Sequence, residues 1–300
     1  MTFGDRLASL VEERGSQIVL GLDPDPARLW PEALAQAPPD GPPARRAAAA
    51  VRAHCAALID AAGPACVAVK PQLACFERLG ADGWAALAAT AEHARAAGLL
   101  VLADGKRGDI AVSAAAYAQA LVGSTPTPFG EARGLGADAF TANPLMGIDS
   151  LQTLVDGARA AGAGIFVLVR TSNPGAADVE DLELADGGTV WERLARIVGD
   201  IGAAGAAGIA DIGAVVGATE PRHVARMREL MPRAPFLLPG IGAQGGRVED
   251  LAPAWAAGRA GGLVSASRSI ANAHESSQLG PAGAARAEAE RLREEAWALS

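Results

Sequence analysis

Short apolar runs alternate with longer helical patterns along almost the whole chain, and this alternation limits the possible folds more than any other feature. Each run has the length and apolar character of a buried strand, and each is followed by a segment with helical character. Strands separated by helices form parallel βαβ units, and eight units in roughly 250 residues are typical of a (β/α)8 barrel. The predicted strands are 17–22, 66–69, 99–103, 137–141, 164–169, 209–216, 236–238 and 262–264.

The same pattern predicts one domain over residues 1–300, with flanking helices at 2–14 and 275–300. A doubly wound open sheet is the second interpretation. Such a sheet usually has fewer strands, and the first predicted strand is not followed by the Gly-x-Gly-x-x-Gly motif of dinucleotide-binding folds. We therefore expect a single (β/α)8 barrel with an N-terminal helix and a C-terminal helical extension.

Composition excludes several classes of protein. Half of the residues are hydrophobic, which allows a sizeable core, and the net charge of −8 argues against a nucleic-acid surface. No apolar run reaches the roughly 18 residues of a membrane span, and the acidic N-terminal segment lacks the apolar core of a signal peptide. Three cysteines do not make a disulfide framework, so Cys55, Cys66 and Cys75 are expected to be buried thiols. We expect a cytoplasmic protein with no nucleic-acid or membrane partner.

Lysine is almost absent, and its two positions are informative. Only Lys70 and Lys106 are lysines among 26 basic residues, and each follows an apolar run. Lysine can donate a proton, whereas the guanidinium of arginine cannot readily do so. Asp104 and Lys106 are two residues apart at a strand end, so their side chains are expected to lie on one face.

Polar residues follow most of the predicted strands, and the active sites of barrels lie at this end. The glycine-rich stretch 240–246 and the pair Ser267-Arg268 follow the last two strands, the usual phosphate position. Backbone N–H groups and a guanidinium suit a phosphate dianion, so the sequence predicts a phosphorylated substrate. The candidate residues are Asp23, Lys70, Asp104, Lys106, Ser172, Gln244 and Arg268.

Each of these features also has a purely structural interpretation. Asp109 precedes a predicted helix, where an aspartate most often caps the helix. Residues 23–26 could form only a turn, 240–246 only a connection, and Arg268 only a surface charge. The long polar segment 173–188 could be plain surface, although long loops in compact domains are often lids. The convergence of these residues on one barrel end favours the functional interpretation.

Residues 104–110, DGKRGDI, resemble the Asp-x-Lys-x-x-Asp signature of the orotidine 5′-phosphate decarboxylase family. Together with Lys70-Pro71-Gln72 and the segment SNPG at 172–175, they resemble the longer, second type of bacterial enzyme. The resemblance runs from about residue 15 to 270. It implies a (β/α)8 barrel that forms a homodimer, uses no metal or organic cofactor, and converts orotidine 5′-phosphate (OMP) to UMP and CO2 in de novo pyrimidine biosynthesis.

The resemblance also implies roles for individual residues. Lys70, Asp104, Lys106 and Asp109 would form a network of alternating charge, with Asp109 reaching into the partner subunit's site. Lys106 would protonate C6 of the pyrimidine as CO2 leaves, and Asp104 would lie against the substrate carboxylate. The implied substrate-binding residues are Asp23 and Lys70 for the ribose hydroxyls, Ser113 for the ribose (where the family commonly has Thr), Ser172 for the pyrimidine, and Gln244 with Arg268 for the phosphate.

Three other functions remain open. A Mg²⁺-dependent decarboxylase of 3-keto-gulonate 6-phosphate shares the Asp-x-Lys-x-x-Asp pattern but gives no reason for the segment at 172–175. A Schiff-base aldolase needs a desolvated, less charged lysine, and Asp104 and Asp109 around Lys106 argue against it. A barrel that binds a phosphorylated ligand without turnover is the third.

Overall fold

Eight parallel strands close into a barrel in the computed structural model, which describes residues 1–218, 221–241 and 246–300. Neighbours around the barrel follow chain order, and the first and last strands pair to close it. The (β/α)8 prediction is confirmed and the open-sheet interpretation is wrong. The barrel strands are β1 Ile18–Leu22, β2 Ala68–Pro71, β3 Leu100–Arg107, β6 Ala139–Ala142, β7 Gly164–Arg170, β8 Ile212–Val216, β9 Phe236–Pro239 and β10 Gly262–Ala266, and a separate antiparallel hairpin is formed by β4 Ser124–Thr127 and β5 Gly130–Arg133.

Helices follow the barrel strands and cover them from outside. The α-helices are α1 Phe3–Arg14, α2 Pro31–Leu34, α3 Pro43–Ala62, α4 Leu73–Glu77, α5 Gly80–Ala96, α6 Ala111–Leu121, α7 Ile148–Ala160, α8 Val190–Ile201, α9 Pro221–Leu230, α10 Arg268–Ala271 and α11 Pro281–Leu299, and 3-10 helices span Gly63–Ala65, Pro174–Asp178, Val248–Ala257, Arg259–Gly261 and Ala273–Ser276. No helix in the described part of the chain is long and apolar enough to cross a bilayer.

Helix α1 closes the N-terminal end of the barrel. A reciprocal capping box between Thr2 and Asp5 starts the helix, and Gly15 ends it in the left-handed conformation that glycine adopts without strain. Its buried Phe3 packs edge-on against Phe166 of β7 with ring centroids 6.0 Å apart. This plug leaves the opposite end, where the strands reach their carboxyl termini, as the open end of the barrel. We call this end the mouth.

Several boundaries differ from the sequence-based predictions. The hairpin β4–β5 was not predicted. The segment Val248–Ala257 is a 3-10 helix that contains Pro253, and the C-terminal helix begins at Pro281 instead of residue 275. Strand β3 continues to Arg107, four residues beyond its predicted end.

The segment 24–42 between β1 and α3 is partly core. Leu29 and Trp30 are buried, and the backbone N–H of Trp30 donates to Nδ1 of the buried His54 at 3.2 Å. Of the cysteines, Cys55 and Cys66 are buried as predicted, whereas Cys75 is half-buried. Burial raises the pKa of the Cys66 thiol to about 12, so this side chain stays a protonated, unreactive thiol.

Candidate active site

The last residues of β3 depart from regular strand geometry. Between Ala103 and Arg107, four steps on β3 oppose two steps on β6, from Phe140 to Ala142. Residues 104–106 therefore bulge from the ladder, and Lys106 has φ +48°, a left-handed conformation that costs a non-glycine residue about 1 kcal/mol. The bulge turns both Asp104 and Lys106 toward the mouth.

Asp104 accepts hydrogen bonds from four side chains. Lys106 Nζ donates to Oδ1 at 2.6 Å, and the hydroxyl of Thr141 donates to the same oxygen at 2.9 Å. Lys70 Nζ donates to Oδ2 at 2.5 Å, and the amide of Gln72 donates to it at 3.1 Å. A carboxylate offers about four lone-pair sites, so Asp104 is fully satisfied as an anion.

Two charged groups of this cluster, Asp104 and Lys70, are buried, and each stays ionised because of its oppositely charged neighbours. Burial favours the neutral form of Asp104, but the ammonium groups of Lys70 and Lys106 outweigh it and hold the pKa of this carboxyl well below its usual range. Burial likewise acts to lower the pKa of Lys70, and the negative charge of Asp104 outweighs it, so that the pKa of Lys70 is raised. Asp104 and Lys70 are therefore both charged at neutral pH.

A cavity at the mouth brings together residues that are distant in sequence. It is lined by Asp23, Lys70, Gly240, Ser265 and Arg268, among others. Asp23 and Arg268 are exposed at the rim, while Lys70 lies at the buried end. Gln244, predicted to contact a phosphate, lies outside the described residues.

Asp109 lies on the segment that links β3 to α6, and Ser113 lies in the first turn of α6. The purely structural interpretation of Asp109, as the cap of α6, is wrong. The N-cap residue is Ile110, with no side-chain capping bond, and Asp109 Oδ1 instead accepts from the adjacent Ile110 N–H at 2.8 Å. Its backbone oxygen accepts from the hydroxyl of Ser150. Ser113 is exposed in the first turn of α6. Among the described residues of this one chain, no hydrogen bond or ion pair joins Asp109 to Lys106.

Comparison with known proteins assigns this barrel to a family. A model of the orotidine 5′-phosphate decarboxylase / HUMPS family matches residues 16–280. The chain belongs to this family. It is 41% identical to orotidine 5′-phosphate decarboxylase of Deinococcus radiodurans over 272 residues, 90% of this chain and 89% of that protein. It is 40% identical to the protein of the same name from Rhodopirellula baltica over 280 residues, 92% and 90% of the two chains.

Among solved structures, the barrel resembles that of a putative orotidine 5′-phosphate decarboxylase from Streptomyces avermitilis. The TM-score is 0.79 at 34% identity, covering 99% of this chain and 95% of the other. The family resemblance inferred from residues 104–110 is therefore confirmed by both sequence and fold.

Within this family barrel, Ser172 directly precedes the segment 173–188, which the sequence indicates is either plain surface or a lid. Ser172 is half-buried and lies two residues after Arg170, the last residue of β7. A Cβ atom added to Gly217 would lie 2.9 Å from Cα of Ser172, so the chain after β8 packs closely against it. Only glycine fits at position 217 without moving Ser172.

Hydrogen bonds and an ion pair connect residues 180–181 of this segment to the end of β7. The guanidinium of Arg170 forms a bidentate pair with Asp181, at 2.9 and 3.0 Å. Glu180 accepts from the backbone N–H of Thr171 at 2.8 Å. These contacts tie residues 180–181 back to the end of β7 and leave the 3-10 helix Pro174–Asp178 as the part between two fixed ends.

Thr141, Gln72 and Arg170 are functional candidates that reasoning from the sequence missed. Thr141 and Arg170 are polar residues at the carboxyl ends of strands, which is the signal that identified the other candidates. Gln72 was part of the recognised Lys-Pro-Gln segment, but no role followed from its position alone. Only the fold brings Thr141 and Gln72 to Asp104.

An exposed apolar patch lies beside the mouth, where the connections after β3 and β6 meet. Its members are large aliphatic side chains and one methionine that are at least half exposed. They are Ile110 at 55%, Val112 at 83%, Leu145 at 79%, Met146 at 50% and Ile148 at 53%. Exposed apolar side chains on two connections that meet in this way can mark a protein interface.

Proposed function

We propose that the protein decarboxylates orotidine 5′-phosphate to UMP and CO2, a step of pyrimidine biosynthesis. The observation that carries this proposal is the chain of ion pairs from Lys70 through Asp104 to Lys106 at the barrel mouth, in a family barrel. The family description covers more than one activity, and relatives at about 40% identity named orotidine 5′-phosphate decarboxylase support this member of it.

In the proposed reaction, the bond between C6 and the carboxylate breaks and its electron pair stays on C6. The pyrimidine offers no electron sink at this carbon, so charge builds up there in the transition state. An ammonium already held beside the developing carbanion stabilises that charge without reorganisation. Lys106 then transfers a proton to C6, giving UMP, and the neutral amine regains a proton from water.

Asp104 has two functions in this mechanism. Its negative charge keeps the Lys70 ammonium protonated and fixes Lys106 through the 2.6 Å bond to Oδ1. It also lies where the substrate carboxylate would approach, so that two negative charges would face each other before CO2 leaves. Binding of the remote phosphate can offset that repulsion.

We propose that the remaining predicted residues hold the nucleotide. Arg268 would bind the phosphate together with Gln244, and Asp23 and Lys70 would bind the ribose hydroxyls. Ser113 would contact the ribose and Ser172 the pyrimidine, with residues 173–188 folding over the ligand. The shared cavity of Asp23, Lys70 and Arg268 supports this orientation, because it runs from the buried ammonium to the exposed guanidinium.

We also propose that the protein is a homodimer in which Asp109 completes the partner's site. Two observations support this arrangement. The apolar patch of Ile110, Val112, Leu145, Met146 and Ile148 flanks Asp109, and Asp109 has no ion pair with Lys106 within its own chain. Closing two copies over this patch would bury the apolar surface next to the mouth.

The test is the loss of OMP absorbance with purified protein in EDTA. Full OMP turnover that persists in EDTA supports the proposal and excludes the Mg²⁺-dependent sugar-phosphate decarboxylase. A covalent adduct trapped by borohydride would support the Schiff-base aldolase. Binding of OMP without any turnover would leave only the non-catalytic phosphate-binding barrel.

A further inference from the structure

The hydroxyl of Thr141 makes two hydrogen bonds whose directions are fixed by chemistry. Its Oγ1 lies 2.8 Å from the backbone N of Lys106 and 2.9 Å from Oδ1 of Asp104. A backbone N–H can only donate and a carboxylate can only accept, so the Thr141 oxygen accepts from Lys106 and its proton points at Asp104. Thr141 is 1% exposed, so water does not compete for either bond.

These bonds tie Lys106 at both ends. Its backbone N–H donates to Thr141, Thr141 donates to Asp104 Oδ1, and the same oxygen accepts from the Lys106 ammonium at 2.6 Å. The result is a closed ring of hydrogen bonds that contains the whole Lys106 side chain. Because the ring includes the backbone, it fixes where the side chain begins as well as where the ammonium ends.

The ring also accounts for the strained backbone at Lys106. A non-glycine residue at φ +48° needs a compensating contact to persist. Within the bulge of β3, the backbone N–H of Lys106 has left the strand ladder and donates to a side chain of β6 instead. Without the Thr141 hydroxyl, that N–H would lose its partner and the left-handed conformation would lose its support.

We propose that Thr141 is a positioning residue for decarboxylation, acting through Lys106 and Asp104 without touching the substrate. This inference rests on the proposed function. Removing the hydroxyl lets the ammonium of Lys106 move away from the developing charge on C6. It leaves Arg268 and Asp23 untouched, because neither is bonded to Thr141. The loss therefore affects the chemical step more than nucleotide binding.

The test compares Thr141→Val, which keeps the shape and removes the hydroxyl, with Thr141→Ser, which keeps the hydroxyl. Thr90→Val is the matched control, because it removes another buried threonine hydroxyl, one that donates to Ala86 within α5. We expect kcat on OMP to fall about 10- to 100-fold in Thr141→Val, the loss typical of one hydrogen bond to a charged group, with KM changed less than about threefold. Thr141→Ser and Thr90→Val are expected to stay within about threefold of wild type.

A second readout follows proton transfer alone. If Lys106 protonates C6, the reverse step exchanges the C6 hydrogen of UMP for deuterium in D2O, which NMR detects. We expect Thr141→Val to slow this exchange by the same factor as kcat, while its dissociation constant for UMP stays near the wild-type value. A merely structural threonine would raise the dissociation constant or lower stability without this matched loss.

The outcomes separate the two proposals. If wild type does not turn over OMP, the proposed function is wrong and the positioning role is wrong with it. If wild type is active and Thr141→Val retains its kcat and its C6 exchange, or if Thr141→Ser loses as much as Thr141→Val, only the positioning role is wrong. Should Thr141→Val fail to fold, Thr141→Cys provides the same comparison, since a thiol fills similar space and is a weak donor.

Discussion

The ammonium of Lys70 lies 2.5 Å from Oδ2 of Asp104, and both side chains are buried. The two residues belong to adjacent strands, and their charges offset the several kcal/mol that burying each ion alone would cost. The pKa of Lys70 is raised and that of Asp104 is lowered, so neither charge is lost at neutral pH. Lys106 is bound to the other oxygen of Asp104 and its side chain is 43% exposed, so its ammonium is the more accessible of the two to a ligand at the mouth.

Replacing Lys106 tests this assignment directly. We expect both Lys106→Ala and Lys106→Arg to lose all measurable decarboxylation, because alanine has no proton to give and a guanidinium does not readily release one. The measurement is OMP turnover, together with UMP binding to verify that the mouth is intact. Arg259→Ala, which removes a cation paired with Glu12 at the opposite end of the barrel, is the matched control. Substantial activity in Lys106→Arg would contradict the proton-donor role.

Mixing inactive variants tests whether Asp109 serves the partner's site. Asp109→Ala and Lys106→Ala homodimers are both expected to be inactive, while a mixed dimer would have one intact site. Random exchange then restores up to about a quarter of wild-type activity, since half of the dimers are mixed and each has one intact site of two.

Asp104→Ala mixed with Lys106→Ala is the control for this experiment. These two side chains meet within one chain at 2.6 Å, so neither site of the mixed dimer is intact and no activity should return. Recovery in this control, or none with Asp109→Ala despite demonstrated subunit exchange, would argue against the shared site.

Stability is expected to depend on pH through His54. Burial, with a smaller contribution from the charge of His274, lowers the pKa of His54 to about 4. The unfolded chain takes up this proton near pH 6.5, so the stabilisation is complete above that pH and is lost as pH falls toward 4. Between pH 7 and pH 5, His54 alone should lower the free energy of unfolding by about 2 kcal/mol.

Urea denaturation of His54→Asn at both pH values measures this contribution, because the asparagine oxygen can still accept from the Trp30 N–H. Between pH 7 and pH 5, the free energy of unfolding should fall by about 2 kcal/mol less in the variant than in wild type. His93→Gln, at a partly exposed position on α5 where the imidazole pairs with Asp60, is the control that keeps the His54 contribution. An equal fall in the free energy of unfolding of wild type and His54→Asn would show that His54 is not the group responsible.

Arg228 is expected to be a strong determinant of stability far from the mouth. Its guanidinium donates to the backbone oxygens of Met231, Ala234, Ala254 and Gly261 at 2.7–2.9 Å and lies 3.8 Å from the ring centroid of Phe236. Arg228→Met would leave four acceptors without this donor and should cost about 3–5 kcal/mol in urea unfolding.

Arg226→Met on the same helix provides the comparison for Arg228. This arginine is exposed and pairs only with Glu192 and Glu229 among the contacts described, so its loss should leave the unfolding midpoint nearly unchanged. A similar midpoint shift in both variants would show that the four carbonyl bonds do not carry the effect.

Local patterns in the sequence were sufficient to predict the barrel and part of its site. Strand and helix periodicities depend on neighbouring residues, so eight βαβ units could be counted from the chain alone. Parallel strands in a barrel share one carboxyl end, and this rule correctly placed Asp23, Lys70, Asp104 and Arg268 together at the mouth. The spacing of two residues correctly predicted that Asp104 and Lys106 lie on one face, although the bulge in β3 and not regular strand alternation brings this about.

Tertiary structure decided the features of the site that depend on the register of the strands and on closure of the barrel. The bulge in β3 exists only because β3 and β6 pair out of step, and it gives Lys106 its left-handed backbone. Thr141 lies 37 residues beyond Asp104 in the chain, and no local pattern links the two. Cross-strand contacts such as the bond between them form only when the barrel closes at one register, so the ring of hydrogen bonds that fixes Lys106 belongs to the fold and not to the DGKRGDI motif.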